Sequence, residues 1–334
     1  MDERAPAHGG DLDGARRRFP DAPQPWVDLS TGINPIGYPV PPLEPELWAQ
    51  LPQQSDLRSL EAVAACAYRI APGAEIVAAP GTQTLIQWLP RLLSAKRVGI
   101  LATSYHEHAA TWRASGAAVE TVSELSALAD FDVAILVNPN NPDGRLIAPA
   151  DLQPLARHFA GKGGLLIIDE AFMDVAPDQS FAPHLPGRGG VMLRSLGKIF
   201  GLAGLRLGFA ITGPEFARTL RQALGPWPVS GPAIGVGTLA LQDSHWLMRA
   251  IERLARDAAR LEEMLGGAGF TVRGGTLLFR LAADPNAAGW FDRLGRAGIL
   301  VRRFDERPEQ LRFGLPGSDA AWERLATVLA LGPG

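Results

Sequence analysis

The pattern of hydrophobic and polar positions predicts alternating strands and helices through the middle of the chain. Short apolar runs that lack polar alternation recur at 75–79, 97–101, 133–137, 164–168, 191–193 and 207–212. Helical patterns separate several of these runs, as at 83–93 and 150–160. Strands that are apolar on both faces are typical of a mostly parallel sheet covered by helices. We therefore expect an α/β fold with a mostly parallel central sheet.

A proline- and glycine-rich break at 225–232 predicts that a large domain spans residues 41–230. Beyond the break, the pattern predicts a smaller α+β domain over residues 231–334. Its expected elements are a helix over 233–265, a strand over 271–281, a helix near 290–297, strands over 299–303 and 310–315, and a helix over 320–331. Residues 1–40 show little periodicity. Both a disordered tail and an arm that covers a site and joins the small domain are compatible with them, and we favour the arm.

Composition and charge exclude several classes of partner. The 334 residues are 46% hydrophobic and 20% charged, with a net charge of −3, which argues against nucleic acid or an anionic membrane as the main partner. The single cysteine, Cys66, fits a reducing compartment, and we expect it to be packed in the core. The acidic start of the chain has no apolar signal core, and no long uncharged apolar stretch follows it. We expect a cytoplasmic protein.

A lysine, a carboxylate, an amide and two anion-binding groups lie at or near strand ends of the predicted sheet. Lys198 follows an apolar strand and a short turn, Asp169 ends an apolar run, and Asn141 lies in a loop bounded by prolines. Each lies about one βα unit from the next, and ligands of parallel sheets bind at this edge. Ser195 and Arg206 suit an anion. Together these groups match the aldehyde, pyridine nitrogen, phenolic oxygen and phosphate of pyridoxal phosphate.

Other residues near these strand ends allow more than one interpretation. The junction Gly81-Thr82-Gln83 opens a helix after a strand, where an anion binds favourably. Tyr105 follows the next strand and suits stacking on a ring. His106 and His108 suit either substrate contact or the surface of a helix start. Taken alone, Asp169 would also suit a helix cap or a metal, but no second set of metal-ligating residues accompanies it, so we expect no metal.

The same residues resemble a known family over essentially the full length of the chain. The runs 141–144, 169–172, 195–198 and 204–206 resemble those of the fold-type I pyridoxal-phosphate enzymes, the class I/II aminotransferase superfamily. The resemblance implies that Lys198 forms the Schiff base, that Asp169 pairs with the pyridine nitrogen, and that Asn141 binds the ring oxygen. It also implies stacking by Tyr105 and a homodimer with sites at the subunit interface.

The resemblance extends to the groups that hold the anions of the cofactor and of the substrate. It implies that the cofactor phosphate is held by Gly81, Thr82, Ser195 and Arg206, and that Arg312 holds the substrate carboxylate. A non-catalytic homologue would be expected to lose Lys198 or Arg312, and both are present.

Within the superfamily, two N-terminal runs resemble those of the decarboxylases that act on threonine phosphate in cobalamin biosynthesis. These runs are 8–12, which begins at His8, and 28–35, which contains Asn34. The resemblance implies decarboxylation of L-threonine O-3-phosphate to (R)-1-amino-2-propanol O-2-phosphate and CO₂, with His8 and Asn34 as candidates for contacting the substrate phosphate. Histidinol-phosphate aminotransferases share the second run more loosely, so transamination of histidinol phosphate is the alternative.

Two positions depart from the pattern of related enzymes, which commonly carry tyrosines there. Phe172 stands three residues after Asp169, and Leu51-Pro52 stands in place of a Tyr-Pro pair. Phe172 cannot donate a hydrogen bond to the ring oxygen of the cofactor. We therefore expect the Lys198 imine to keep its proton to higher pH than in relatives that carry the tyrosine.

Overall fold

The computed structural model describes residues 9–332, and the chain folds into two compact units. One unit runs from Gly37 to Met248. The other combines the residues up to Ile36 with those from Arg249 onward. The division falls near the end of the predicted arm and beyond the predicted boundary at 230/231. The three predicted domains, 1–40, 41–230 and 231–334, stay predictions.

Eleven α-helices are assigned within residues 9–332. They are α1 Leu12–Arg18, α2 Glu46–Ala49, α3 Gln54–Ala67, α4 Thr82–Leu92, α5 His106–Ala114, α6 Pro149–Lys162, α7 Pro214–Leu224, α8 Gly231–Gln242, α9 Ser244–Gly267, α10 Ala287–Arg296 and α11 Asp319–Ala330. The same residues contain twelve strands. They are β1 Val27–Leu29, β2 Glu75–Ala79, β3 Arg97–Leu101, β4 Ala118–Val122, β5 Val133–Val137, β6 Leu165–Asp169, β7 Gly190–Ser195, β8 Gly208–Thr212, β9 Thr271–Thr276, β10 Phe279–Ala283, β11 Ile299–Arg303 and β12 Gln310–Gly314.

The unit from Gly37 to Met248 is built on a seven-stranded sheet in the order β2-β8-β7-β6-β5-β3-β4. All neighbouring pairs are parallel except those that β8 makes with β2 and β7. Apolar side chains of the central strands form one buried cluster with α4 and α5, which includes Ile167, Leu193, Leu85 and Trp112. The expected mostly parallel sheet is confirmed. Its carboxyl-end edge, where β3, β5, β6 and β7 all finish, is the edge at which ligands of such folds bind.

The other unit contains a five-stranded sheet in the order β1-β11-β12-β10-β9. Strand β1 pairs in parallel with β11, with Val27 opposite Ile299, so the N-terminal segment is part of this sheet. Strand β12 runs antiparallel to both β10 and β11. Trp290 and Phe313 are fully buried in this unit. The register between β11 and β12 places Arg302 directly opposite Arg312.

Three expectations about local structure were wrong. The run 271–281 is a hairpin rather than one strand: β9 and β10 are antiparallel with Thr276 opposite Phe279, which leaves two residues for the turn. The run 233–265 is two helices, because Asp243 interrupts it and its carboxylate accepts a hydrogen bond from the backbone N–H of Trp246, at 2.8 Å. Cys66 is exposed on α3 rather than packed in the core.

Two strands that the pattern did not predict have little apolar signal. Strand β4 lies at the sheet edge, and none of its side chains is buried. Strand β1 has only three residues. Hydrophobic periodicity carries little information about such strands, because pairing with neighbouring strands holds them in place. Helix α7 was missed although its apolar residues, Phe216, Ala217, Leu220 and Leu224, recur at helical spacing and pack against the core.

Candidate active site

Asp169 lies at the carboxyl end of β6, with a buried side chain whose two oxygens both accept hydrogen bonds. Its Oδ2 is 2.9 Å from Nε2 of His108, and its Oδ1 accepts the backbone N–H of Ala171 at 3.0 Å. The side chains are 5% and 1% exposed for Asp169 and His108. The carboxylate is therefore fixed in position and orientation.

His108 is a site residue that analysis of the sequence did not single out. The sequence left it either as a surface histidine at a helix start or as a substrate contact. The structure instead buries it against Asp169. It follows Tyr105 by three positions, so both side chains lie on the same side of the first turn of α5. That spacing from a candidate stacking residue was the signal in the sequence that could have identified it.

Lys198 lies in the turn after β7, among apolar side chains. Leu196, Ile199 and Phe200 are all buried. The Nζ atom of Lys198 lies 5.0 Å from the ring centroid of Phe172, which is also buried. Lys198 thus presents an amine next to apolar side chains, where it can react as a nucleophile.

Arg206 and the turn before α4 form a concave donor set. Gly81 has φ +83°, and a Cβ placed on it would lie 2.7 Å from the Nη2 of Arg206. A Cβ on Gly208, the first residue of β8, would lie 2.6 Å from the backbone nitrogen of Thr82. The absence of side chains at both glycines lets a guanidinium and the first N–H groups of α4 come close together. A phosphate fits such a set.

Ser195 and Gln83 flank this donor set. Ser195 ends β7, and its hydroxyl accepts the N–H of Gly197 at 3.3 Å. The side chain of Gln83 donates to Glu107 at 2.6 Å and accepts from the hydroxyl of Tyr105 at 3.4 Å. Tyr105 directly precedes the first residue of α5. Gln83 therefore links the first turns of α4 and α5 and holds the ring of Tyr105.

The loop that carries Asn141 is held by two buried asparagines on either side of Pro139. The side chain of Asn138 donates to the carbonyl of Ile147 at 2.9 Å and accepts that residue's N–H at 2.8 Å. The side chain of Asn140 donates to the carbonyl of Thr103 at 2.7 Å. The backbone N–H of Asn138 donates to the carbonyl of Asp169 at 2.8 Å, which joins the loop to the end of β6.

In the other unit, Arg312 is buried beside a second arginine. Its Nη2 donates to the carbonyl of Ser30 at 2.8 Å, and its Cζ lies 5.0 Å from the ring centroid of Phe279. Burial, followed by the charge of Arg302, lowers the pKa of Arg312 to about 10, while Asp28 acts in the opposite direction. Two adjacent cations of this kind are stabilised by an anion. Arg302 was not identified as a site residue from the sequence. The alternation of side chains between the two faces of β11 was a signal that marks its position.

Asn34 and the first described residues also belong to the unit of Arg312. The Oδ1 of Asn34 accepts the N–H of Ile36 at 3.1 Å and a guanidinium N–H of Arg253 at 3.0 Å. The backbone N–H of Gly10 donates to the hydroxyl of Ser30 at 2.7 Å. His8 lies outside the described residues.

The residues of the unit from Gly37 to Met248 fit pyridoxal phosphate group by group. Arg206 with the start of α4 suits the phosphate, and a buried carboxylate held by His108 suits a protonated ring nitrogen. Lys198 supplies an amine among apolar side chains for the aldehyde. We find no donor type in this set that conflicts with the cofactor.

Comparison with known proteins places the chain in a family. The family model "Aminotransferase class I and II" matches residues 49–329. The chain is a member of this family. It is 43% identical to the threonine-phosphate decarboxylase of Pseudomonas aeruginosa over 326 residues, which cover 96% of each chain. It is 42% identical to the threonine-phosphate decarboxylase of a Sinorhizobium species over 328 residues, which cover 97% of each chain.

A solved structure has the same fold. The histidinol-phosphate aminotransferase of Sinorhizobium meliloti, in complex with pyridoxal 5'-phosphate, superposes with a TM-score of 0.83 at 18% identity, covering 98% of this chain and 96% of that one. This likeness confirms the expected fold class. Within residues 9–332, none of the helices combines the length and the apolar character needed to cross a bilayer.

Proposed function

We propose that this protein decarboxylates L-threonine O-3-phosphate to (R)-1-amino-2-propanol O-2-phosphate and CO₂, a step in cobalamin biosynthesis. The observation that carries the proposal is the pair of arginines at 302 and 312, cross-strand neighbours in one sheet. A substrate with both a carboxylate and a phosphate has two anions for these two cations. The two decarboxylases that match almost the whole chain support the same reaction.

The cofactor is pyridoxal 5'-phosphate. When bound, it supplies an electron-withdrawing ring that stabilises negative charge on the substrate carbon. Arg206, Ser195 and the 81–83 turn would hold its phosphate, Asp169 its ring nitrogen, Asn141 its ring oxygen and Tyr105 its ring face. Lys198 would hold its aldehyde carbon covalently. These assignments rest on the donor types described above and on the family resemblance.

Asp169 and Lys198 have complementary tasks in this proposal. Asp169, fixed by His108 and the N–H of Ala171, presents a negative charge that keeps a proton on the ring nitrogen. Lys198, once released by the incoming amino group, holds a proton near the substrate Cα. After CO₂ has left, that proton goes to Cα and takes the place of the carboxylate, so the reaction needs no second substrate.

Arg312, Arg302, Asn34 and His8 would orient the substrate. We assign the substrate carboxylate to Arg312, and the phosphate to Arg302 with Asn34 and His8. Two separate anchors on a small substrate leave little rotational freedom about Cα, which determines whether its bond to hydrogen or its bond to the carboxylate is activated. Decarboxylation requires the anchors to favour the carboxylate bond.

A product assay with and without a 2-oxo acid tests the proposed function. Reconstituted protein incubated with L-threonine O-3-phosphate alone is expected to release CO₂ and aminopropanol phosphate in equal amounts. Lys198→Ala, the control, is expected to lose at least about 10³-fold in kcat, because both attachment and protonation need that amine. Product formation that strictly requires the oxo acid would contradict decarboxylation and favour transamination.

We also propose a cytoplasmic homodimer. The unit from Gly37 to Met248 exposes several large apolar side chains, including Trp48 on α2, Leu51 and Trp227, which are 70%, 60% and 55% exposed. Exposed apolar residues of this size suit an interface. Sedimentation is expected to give twice the mass of the chain, and Trp48→Lys is expected to shift the protein toward monomer. A monomer at all concentrations would contradict this assembly.

A further inference from the structure

A buried charge cluster lies on the side of the sheet opposite to Asp169. Successive residues of a strand point to opposite faces, so Glu170 and Arg194 lie on the reverse side from Asp169 and Ser195. The Nη1 of Arg194 donates to Glu170 at 2.7 Å and to the hydroxyl of Ser180 at 3.2 Å, while its Nη2 donates to Asp174. The side chains of Arg194 and Glu170 are 2% and 0% exposed.

Burying these charges costs free energy, and the ion pairs within the cluster offset that cost. Burial raises the pKa of Glu170 and of Asp174 above the ordinary carboxyl range, and Arg194 acts in the opposite direction on both. Burial disfavours the charge on Arg194, but Asp174 and Glu170 together raise its pKa above the ordinary value. Glu170 also accepts the N–H of Phe181 at 2.7 Å and the hydroxyl of Ser180 at 2.6 Å.

The cluster holds both ends of one short segment, residues 169–174. Glu170 is adjacent to Asp169, and its own N–H donates to the carbonyl of Leu193 at 2.9 Å. Asp174 lies two residues after Phe172, whose ring faces the Nζ of Lys198. One guanidinium therefore clamps the two sides of the turn that presents Asp169 and Phe172 to the cofactor site.

We infer that Arg194 is a positioning residue for the cofactor site, acting through Glu170 and Asp174 without touching cofactor or substrate. It sets where the 169–174 turn places the Asp169 carboxylate and the Phe172 ring relative to Lys198. The inference rests on the proposed roles of Asp169 and Lys198 but not on the identity of the substrate. It predicts effects that are measurable on the substrate-free protein.

Arg194→Lys tests this inference, because lysine keeps the charge and loses the two-sided clamp. We expect the Kd for pyridoxal phosphate to rise about tenfold or more, and the pH midpoint of the absorbance of the Lys198–cofactor linkage to fall by about half a unit. The midpoint should fall because a displaced Phe172 ring stabilises the protonated nitrogen less well. The KM for threonine phosphate should change less than kcat, since the substrate-anchoring arginines lie outside the cluster.

Thr212→Val provides the matched control. The buried hydroxyl of Thr212 donates to the carbonyl of Gly190, at the opposite end of β7, at 2.8 Å. Its loss should lower the Tm of the cofactor-free protein yet leave the Kd and the absorbance midpoint unchanged. If Arg194→Lys does not fold, Asp174→Asn is measured in the same way and should shift both quantities in the same direction.

A purely structural role would give a different result. If the Arg194 or Asp174 variant lowers Tm as Thr212→Val does but leaves the Kd and the midpoint unchanged, the inference is overturned. If the wild type and all variants fail to decarboxylate threonine phosphate, the result counts against the proposed function. It does not affect this inference, because the cofactor measurements use no substrate.

Discussion

His108 contacts Asp169 from α5, with 2.9 Å between Nε2 and Oδ2 and both side chains buried. The strand that ends in Asp169 and the helix that carries His108 are separated by a long stretch of chain. The hydrogen bond therefore connects the end of β6 to the first turn of α5. It fixes the orientation of the carboxylate at the carboxyl-end edge of the sheet.

His108→Leu is expected to weaken pyridoxal phosphate binding about tenfold. The change removes one of the two hydrogen bonds to a buried carboxylate, which costs about 1–3 kcal/mol. Equilibrium titration of the cofactor-free protein measures the Kd. His158→Gln is the control: His158 is exposed on α6 and contacts the carbonyl of Ala129 at 3.1 Å, far in sequence from the site. Equal Kd values for the two variants would contradict the role of His108.

Gly81→Ala is expected to weaken cofactor binding by at least about tenfold. The added Cβ would lie 2.7 Å from the guanidinium of Arg206 and would displace it from the phosphate position. Gly73→Ala provides a control for backbone strain, because Gly73 has φ +82° and a Cβ added to it would meet no atom within 4 Å. Each substitution should cost roughly 1–3 kcal/mol of stability through its positive φ. The affinity for pyridoxal phosphate should fall in Gly81→Ala alone. An equal fall in both variants would argue against a phosphate site formed by Arg206 and the start of α4.

Phe172→Tyr is expected to lower the pH at which the lysine–cofactor linkage loses its proton. The new hydroxyl can donate to the ring oxygen, which makes that oxygen a weaker partner for the linkage proton. Absorbance titration near 420 nm, roughly the band of the protonated cofactor linkage, measures the midpoint. Phe172→Leu, which adds no hydroxyl, should lower the midpoint less. A midpoint for Phe172→Tyr at or above that of Phe172→Leu would refute this account of the position.

Arg302→Gln is expected to raise the KM for threonine phosphate about tenfold or more without lowering Tm. The charge of Arg302 contributes to the lowered pKa of Arg312, so the substrate-free protein bears a cost for keeping two cations side by side at neutral pH. Removing Arg302 relieves that cost but deprives the substrate of one anchor. Steady-state kinetics and calorimetry measure the two effects.

Arg303→Gln is the matched control for this prediction. Arg303 follows Arg302 in β11, is exposed, and pairs with Asp305 at 3.5 Å. Its replacement should leave KM unchanged, since exposed ion pairs contribute little and the side chain lies on the opposite face of the strand. A KM that rises equally in both variants would indicate a general loss of positive charge rather than a specific anchor.

The sequence was most informative where physical constraints are local. Parallel strands buried on both faces require unbroken apolar runs, so β3 and β5 were predicted with their observed bounds. The residue types needed for the cofactor also follow strand ends, which led to Asp169 and Lys198. Lys198 and Arg206 are close in the chain, so a single sequence motif contains both residues.

Long-range pairings were less visible in the sequence. His108 and Arg302 acquire their significance from partners on other elements, and the local spacing that marks their positions does not identify those partners. The break at Asp243 and the hairpin of β9 and β10 depend on one capping bond and one two-residue turn, which apolar periodicity does not detect. Arg194 directly follows the predicted run 191–193, and its role depends on carboxylates from other parts of the chain.

The fate of the substrate α-hydrogen tests the central claim most directly. The protein, loaded with pyridoxal phosphate, is incubated with L-threonine O-3-phosphate in D₂O without any oxo acid, and the product is examined by NMR and mass spectrometry. The account predicts 1-amino-2-propanol O-2-phosphate that keeps the original α-hydrogen and gains one deuterium at C1, with one CO₂ released per product. Exchange of the α-hydrogen for deuterium in recovered substrate, with no CO₂ released, would contradict it.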